Sequence, residues 1–435
     1  MKQTKKVRNP KSAPVVGAPP SGQKPLGNLA PRHVEKLAAE LVAYHEEFAD
    51  LYQRREQRHW AEFYLQGQLS DLERKTVEPM VLAMKGRDAN AVRAVQQFLG
   101  EGTWDDEMIL ARREKLVAQD IGEADGVLIC DGSGFPKKGE HSVGVAPQYC
   151  GAVGKIANSQ QGVFLVYLSS RGHTFVDRRL YLPEHWFGEE YAEKRARCGV
   201  PTDLQFQTEP ELALEMISGV SARQQVPFQW VCADEHYGMN PAFLDGVAAL
   251  EKWYFAEVPK NTMVWPEEVA IIPPGKGRMG APRKGPLVAP GTAKAPEVQQ
   301  IGTKVPVSAW HRYMIKEGSK GPIEANFAFV RATAKRRRRP GHAVWVVLRR
   351  GLEPEAKIKY YVSNAPADCP RTTLVRLSGS RWPVETALEE GKSELGMDHY
   401  ETRTWRGWHH QMTLTFLAHH FLLRLRLRLK KSLRH

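Results

Sequence analysis

Two short apolar runs, VLICD at Val127–Asp131 and WVCAD at Trp230–Asp234, each stop on an aspartate. Runs of this length, rich in β-branched and aromatic residues and bounded by turn-forming residues, read as buried strands. A carboxylate at the end of a buried strand costs desolvation unless it is paired or holds a metal. One such aspartate is most often a turn former. Two of them, 103 positions apart with a helical run between, constrain the chain more tightly. Hard divalent cations take oxygen ligands, and two-metal nucleases gather carboxylates around ions roughly 4 Å apart.

From Pro31 to about Asp120 the apolar period is helical, with Val34, Leu37, Leu41, Tyr44 and Phe48 on one stripe. At Asp125 it switches. VLICD, HSVGVAPQYCG, QGVFLVYLSS and HTFVDRRLYLP read as strands, EPELALEMISGVSARQQ as a helix, and WVCAD and WYFAEVP as further strands around a second helix. Strands interleaved with helices predict a mixed α/β sheet behind an all-helical segment. KYYVSNAP adds a strand, a helix is expected from about Arg381 to Gly396, and the chain ends in the apolar, basic helix MTLTFLAHHFLLRLRLRLKK.

The net charge of +13 is segregated. Between Lys260 and Arg350 stand 18 Lys/Arg against five Glu and no Asp, and residues 1–30 and Phe421–His435 carry six basic residues each and no acid. Three basic stretches on a neutral-to-acidic body predict a polyanionic partner. The 260–350 stretch, Pro/Gly-rich and then strand-like around Arg336–Arg339, reads as an inserted, partly β, cationic subdomain; residues 1–30 read as a disordered basic tail. Five scattered cysteines with no CxxC pair argue against a disulfide framework or zinc module. With no apolar leader and no membrane-length run, the chain is expected to be soluble and cytoplasmic.

A third acid is expected, and RWPVETALEEGKSELG offers candidates. Arg381, Glu385, Glu389 and Lys392 share one helical face, while Glu390 and Glu394 point elsewhere. Without context this is the pattern of a solvated face with weak ion pairs. GKGRMG at Gly275–Gly280 matches GxGxxG but follows Pro-Pro and opens no amphipathic helix, so it reads as a cationic loop; Gly391-Lys392-Ser393 lacks the earlier glycine of a phosphate-binding loop. No nucleotide cofactor is expected. His409–His410 and His419–His420 lie in an apolar helix without a metal-binding motif and read as packed side chains, with Trp405 and Trp408 as core.

The order Asp131, Asp234, Glu385 resembles the RNase-H-like catalytic domain of bacterial DDE transposases. Arg381, Glu385 and Lys392 are similar to the tyrosine–arginine–glutamate–lysine signature of cut-and-paste insertion-sequence enzymes, except that Ser378 stands where that tyrosine is expected. The blocks DGSGFPKKGEHSVGVAPQYCG, DRRLYLPEHW, ADEHYG and ELGMDHYETRTWRGWHHQMTL resemble the insertion-sequence family numbered seven hundred and one, related to family four. Many of its members carry a second acid where this chain has Gly132.

The resemblance implies Asp131, Asp234 and Glu385 as catalytic metal ligands for two Mg2+ ions, with Mn2+ as a substitute. It implies phosphate contacts from Arg381 and Lys392, and Lys137 and Lys138 are expected to join them. The expected divisions are 1–30 (tail), 31–122 (helical, DNA-binding), 123–259 and 351–425 (RNase-H-like core), 260–350 (basic insertion) and 426–435 (basic tail). Double-stranded DNA, as terminal inverted repeats and target, is the expected partner, bound by a homodimer at the nucleoid. A catalytically inactive or domesticated DNA-binding descendant is the alternative.

Overall fold

The computed structural model describes residues 31–266, 269–273, 275, 286–318, 321–337 and 339–432. The expected tail at 1–30, nearly all of the GKGRMG loop, Arg338 of the basic cluster and the last three residues lie outside them.

Five helices lead: α1 (Pro31–Glu46), α2 (Arg55–Gln68), α3 (Val77–Lys85), α4 (Ala89–Gly100) and α5 (Asp106–Ile121). Asp88 and Asp105 start α4 and α5 by accepting from the backbone N–H of Ala91 and Met108, at 2.9 and 3.0 Å. The strands β1 (Val127–Pro136), β2 (Ala146–Cys150), β3 (Lys155–Ser169) and β4 (Gly172–Tyr181) follow as an antiparallel set. Then come α6 (Ala192–Cys198), α7 (Glu209–Arg223), β5 (Trp230–Ala233), α8 (Glu235–Gly238), α9 (Pro241–Ala249) and β6 (Trp253–Val258). The segment before the last strand holds β7 (Val264–Trp265), β8 (Ile271–Ile272), β9 (Leu287–Val288), α10 (Val298–Lys304), β10 (His311–Gly318), β11 (Gly321–Arg336) and β12 (Arg339–Arg350). The chain closes with β13 (Ile358–Ser363), α11 (Arg371–Leu377), α12 (Trp382–Ser393) and α13 (Trp405–Ser432).

One eleven-stranded mixed sheet runs β10-β11-β12-β13-β6-β5-β1-β3-β2, with β4 also on β3 and β7 on β11. Its middle, β4-β3-β1-β5-β6, has an antiparallel half and a half in which β1, β5 and β6 are parallel. That is the RNase-H-like arrangement. The strands of the basic segment extend the same sheet through β13, which pairs antiparallel with β6.

Both faces of the sheet are covered. Side chains of α11, α12 and α13 pack on one face, and those of α7 and α9 on the other. That is why VLIC and WVCA are continuously apolar rather than alternating. The long helix α13 is buried on two sides: Trp408, Met412 and Phe416 face the sheet, while Leu414, Leu417 and Phe421 face the helices at the N-terminal end. A third tie is polar. The fully buried Arg113 of α5 donates to the carbonyls of Phe416 and Phe175 and to Thr174 Oγ1, at 3.1, 2.5 and 2.9 Å, joining α5, β4 and α13.

Replacing Arg113 removes these three bonds from a dry place. Arg113→Ala is expected to lower unfolding free energy by about 3 kcal/mol in urea titrations, against less than about 0.5 kcal/mol for the exposed Arg87→Ala.

Candidate active site

Along a strand, alternate residues share a face. On β1, Val127 and Ile129 join the core under α12, and Leu128 and Cys130 the core under α7. Trp230 and Cys232 of β5 take the α12 face, and Val231 and Ala233 the other. Asp131 and Asp234 continue the α12-facing series on each strand. The parallel register pairs Ile129 with Cys232, so each aspartate stands two residues beyond the same rung.

Each aspartate also has local bonds. Asp131 Oδ1 accepts from the Gly132 N–H at 2.8 Å. Asp234 caps α8, accepting from the N–H groups of His236 and Tyr237 at 2.9 and 3.3 Å. It is therefore a turn former as well as a site residue. Glu385 projects from the first turns of α12, its side chain 55% exposed.

The charges of these groups act on one another. Burial first, then the Asp234 charge, pushes the Asp131 carboxyl up to about 7; Glu385 adds to the rise, while Arg381 and the Gly132 N–H oppose it. Arg381 stands among the acids. Burial disfavours its charge, but Asp131, Asp234, Glu385 and Glu257 outweigh that and raise its pKa. Its guanidinium lies 3.2 Å from Glu385 and 3.6 Å from Glu257. A cleft of about 660 Å³ opens beside them, lined by Lys316, Arg349, Trp382 and the ends of Arg381 and Glu385.

The lysines are placed differently. Lys392 donates to the Gly134 carbonyl at 3.0 Å and covers the Phe135 ring, so it braces β1 just past Asp131; burial lowers its pKa. Lys137 lies over the Tyr400 ring and donates to the Tyr400 carbonyl at 3.3 Å, and burial brings it down to about 8. With the exposed Lys138 it lines a second cleft of about 760 Å³, together with Arg74 and Arg403. Ser378 is buried, its hydroxyl donating to the Val375 carbonyl at 2.7 Å.

The histidine pairs of α13 are packed. His409 meets the Trp405 carbonyl, His410 those of Leu99 and Trp104, and His420 bonds with Tyr44 and Asp120. His419 bonds with Thr174 and lies 3.2 Å from Glu390. His173, Glu390 and His419 bring possible ligand atoms within 4.8 Å of one another. Arg426, at 2.9 and 3.0 Å, already meets the Glu390 charge. Gly391 of the GKS triplet lies in the last turn of α12, packed against Met397 and Phe175 rather than opening a helix.

Three groups near the acids were not legible in the sequence. Glu257 on β6 pairs with Lys359 at 3.0 Å and with Arg381. Tyr361 on β13 is buried within reach of Glu257, Arg349 and Arg381. Glu209, at the start of α7, feels the Asp234 charge. Each comes from a strand or helix whose alignment with β1 only the sheet order decides.

Among known protein families, the DDE superfamily endonuclease pattern matches residues 47–322, which include Asp131 and Asp234 and end before Glu385. A probable transposase for insertion sequence element IS701 of Microchaete diplosiphon is 31% identical over 173 residues, 40% of this chain and 41% of that protein. The match thus spans about two fifths of the curated relative's length. Among the described residues, no helix is long and apolar enough to cross a membrane.

Asp131 is held at about 7 when folded, above its ordinary 3.8, so its neutral form favours the fold. That stability is fully present below pH 3.8 and is lost as pH rises through about 7. In EDTA, Asp131→Asn should melt close to the wild type at pH 4 and above it at pH 8. A gap that does not change with pH would mean that Asp131 is free of its neighbours' charge.

Proposed function

The chain belongs to the DDE superfamily endonuclease family, and from that premise we propose that it is a DNA transposase that cuts and joins the ends of its own insertion sequence. The observation that carries the reading is the meeting of Asp131, Asp234 and Glu385 around Arg381.

The donor set suits Mg2+, with Mn2+ as a substitute. Three carboxylates supply hard oxygen ligands, and the rise in Asp131 caused by burial and the Asp234 charge is what a bound cation would reverse. Asp131, Asp234 and Glu385 would hold two such ions, whose chemistry would be to activate a water or a 3′-hydroxyl of the DNA and to neutralise charge on the leaving oxygen.

The chain's own residues do the rest. Arg381, poised between the acids and the open cleft, turns its guanidinium to the phosphate beside the scissile bond, where a planar fork can grip two oxygens. Lys392 holds the Gly134 carbonyl and so keeps the Asp131 strand in place. Lys137 and Lys138, with Arg74 and Arg403, grip the backbone further along the duplex. The helical 31–122 region and the basic 260–350 insertion read the terminal repeats and add salt-sensitive phosphate contacts. Two copies act on two ends, so a dimer forms on DNA, in the cytoplasm at the nucleoid.

One feature favours a second reading, a domesticated DNA-binding descendant. Ser378 replaces the signature tyrosine, and its hydroxyl is bonded internally to the Val375 carbonyl.

Nicking of a supercoiled plasmid bearing the element's terminal repeats separates the two. Wild-type protein is expected to nick it in Mg2+ and not in EDTA. Alanine at Asp131, Asp234 or Glu385 should slow nicking by about 1000-fold or more. Equal nicking by wild type and Asp131→Ala would overturn the catalytic assignment.

A further inference from the structure

Gly132 directly follows Asp131 and continues the other series on β1, the one with Leu128 and Cys130 that faces α7. A side chain there would have no room as things stand: its Cβ would come within 2.9 Å of Glu209 Oε2 and 2.7 Å of Gln161 Nε2. The carboxylate of Glu209 thus fills the space that a side chain at 132 would take. The Gln161 amide donates to it, and the charges of Asp234 and His236 both reach it.

Glu209 is not needed to start its helix. That work is done by Thr208 and Glu211, whose capping box has the Thr208 N–H and hydroxyl both donating to Glu211 at 2.8 Å. Among the described residues Glu209 makes no salt bridge with Lys or Arg, unlike Glu114, Glu215 and Glu257 nearby in the fold. Burial raises its proton affinity, the His236 charge and the Gln161 bond oppose the rise, and the Asp234 charge adds to it by less.

A further buried group feels the same charges. The Tyr237 hydroxyl is buried, its residue 1% exposed, and has no hydrogen-bond partner among the described residues, while Glu209, Asp131 and Asp234 all act on it. Gln161 Oε1 is likewise buried and unmet. Buried polar atoms are rarely left without partners. Here the unmet Gln161 oxygen belongs to the side chain that bonds Glu209, and the unmet Tyr237 hydroxyl feels the charges of Glu209, Asp131 and Asp234.

We propose that Glu209 is a positioning carboxylate of the Asp131–Asp234 centre, entering from the α7 side through the space Gly132 leaves open and strengthening the hold on a divalent cation. The proposal rests on the metal-dependent reading above. Glu209 acts through its charge on Asp234 and through Gln161 and the His236 turn, whose backbone N–H groups hold the Asp234 carboxylate. Supporting groups of this kind change metal affinity by about 10- to 100-fold.

Calorimetric titration of Mn2+ into the full chain tests this without reference to activity. Glu209→Gln is expected to weaken binding about tenfold. Returning the carboxylate from the other side, in the double variant Gly132→Asp/Glu209→Ala, should recover affinity to within about threefold of wild type. Wild-type affinity in Glu209→Gln would overturn the proposal, and so would a loss that the double variant does not repair. Asp131→Asn separates this from the reading beneath it: that variant should lose Mn2+ binding, and if it binds as wild type does, the metal centre itself is misassigned.

Discussion

Parallel pairing of β1 with β5, with helices covering both faces, is the constraint on which the rest depends. It forces VLIC and WVCA to be apolar at every position, because each side chain meets a core. It also sets the two aspartates two residues past one rung and on one face. The desolvation and mutual repulsion that raise Asp131 follow from that register. Arg381, at the start of α12, and the Gly132 N–H oppose that rise, while the N–H groups of the α8 turn hold Asp234.

Holding α12 against this edge is the task of α13. Its two apolar sides clamp the sheet to the N-terminal helices, and several of its polar side chains are matched: His410 to carbonyls of Leu99 and Trp104, His420 to Tyr44 and Asp120, Gln411 to Tyr64. Buried arginines do the same between α5 and β4. Arg113 meets backbone acceptors, and Arg178 is set among Asp106, Glu107 and Asp177. Such networks fix one arrangement of the layers more than they add stability.

The aspartates that close the two apolar runs, Asp131 within β1 and Asp234 just past β5, and the Arg381–Glu385 spacing were legible because burial and helical period leave local marks. Glu209, Glu257 and Tyr361 leave none. A glutamate at a helix start, one beside a lysine across two strands, and a tyrosine in KYYVS each look like ordinary surface or core positions. They come near the acids only because β6 and β13 adjoin and because α7 begins behind Gly132. Lys137 and Lys392, expected from the sequence to contact phosphate, have neighbours that the sequence did not show: in the fold their amines donate to carbonyls and lie over rings.

By itself the sequence determined what depends on nearest neighbours and periodicity. That covers the helical lead, the switch to strands at Asp125, the two apolar runs with their terminal acids, and the segregation of basic charge. Only the tertiary structure decided which face each acid takes relative to the others, that the basic segment lengthens the same sheet, and that a glutamate from α7 occupies the place of a side chain at 132. These depend on strand order and register between segments about a hundred residues apart, where one step of slip would move a side chain to the opposite face.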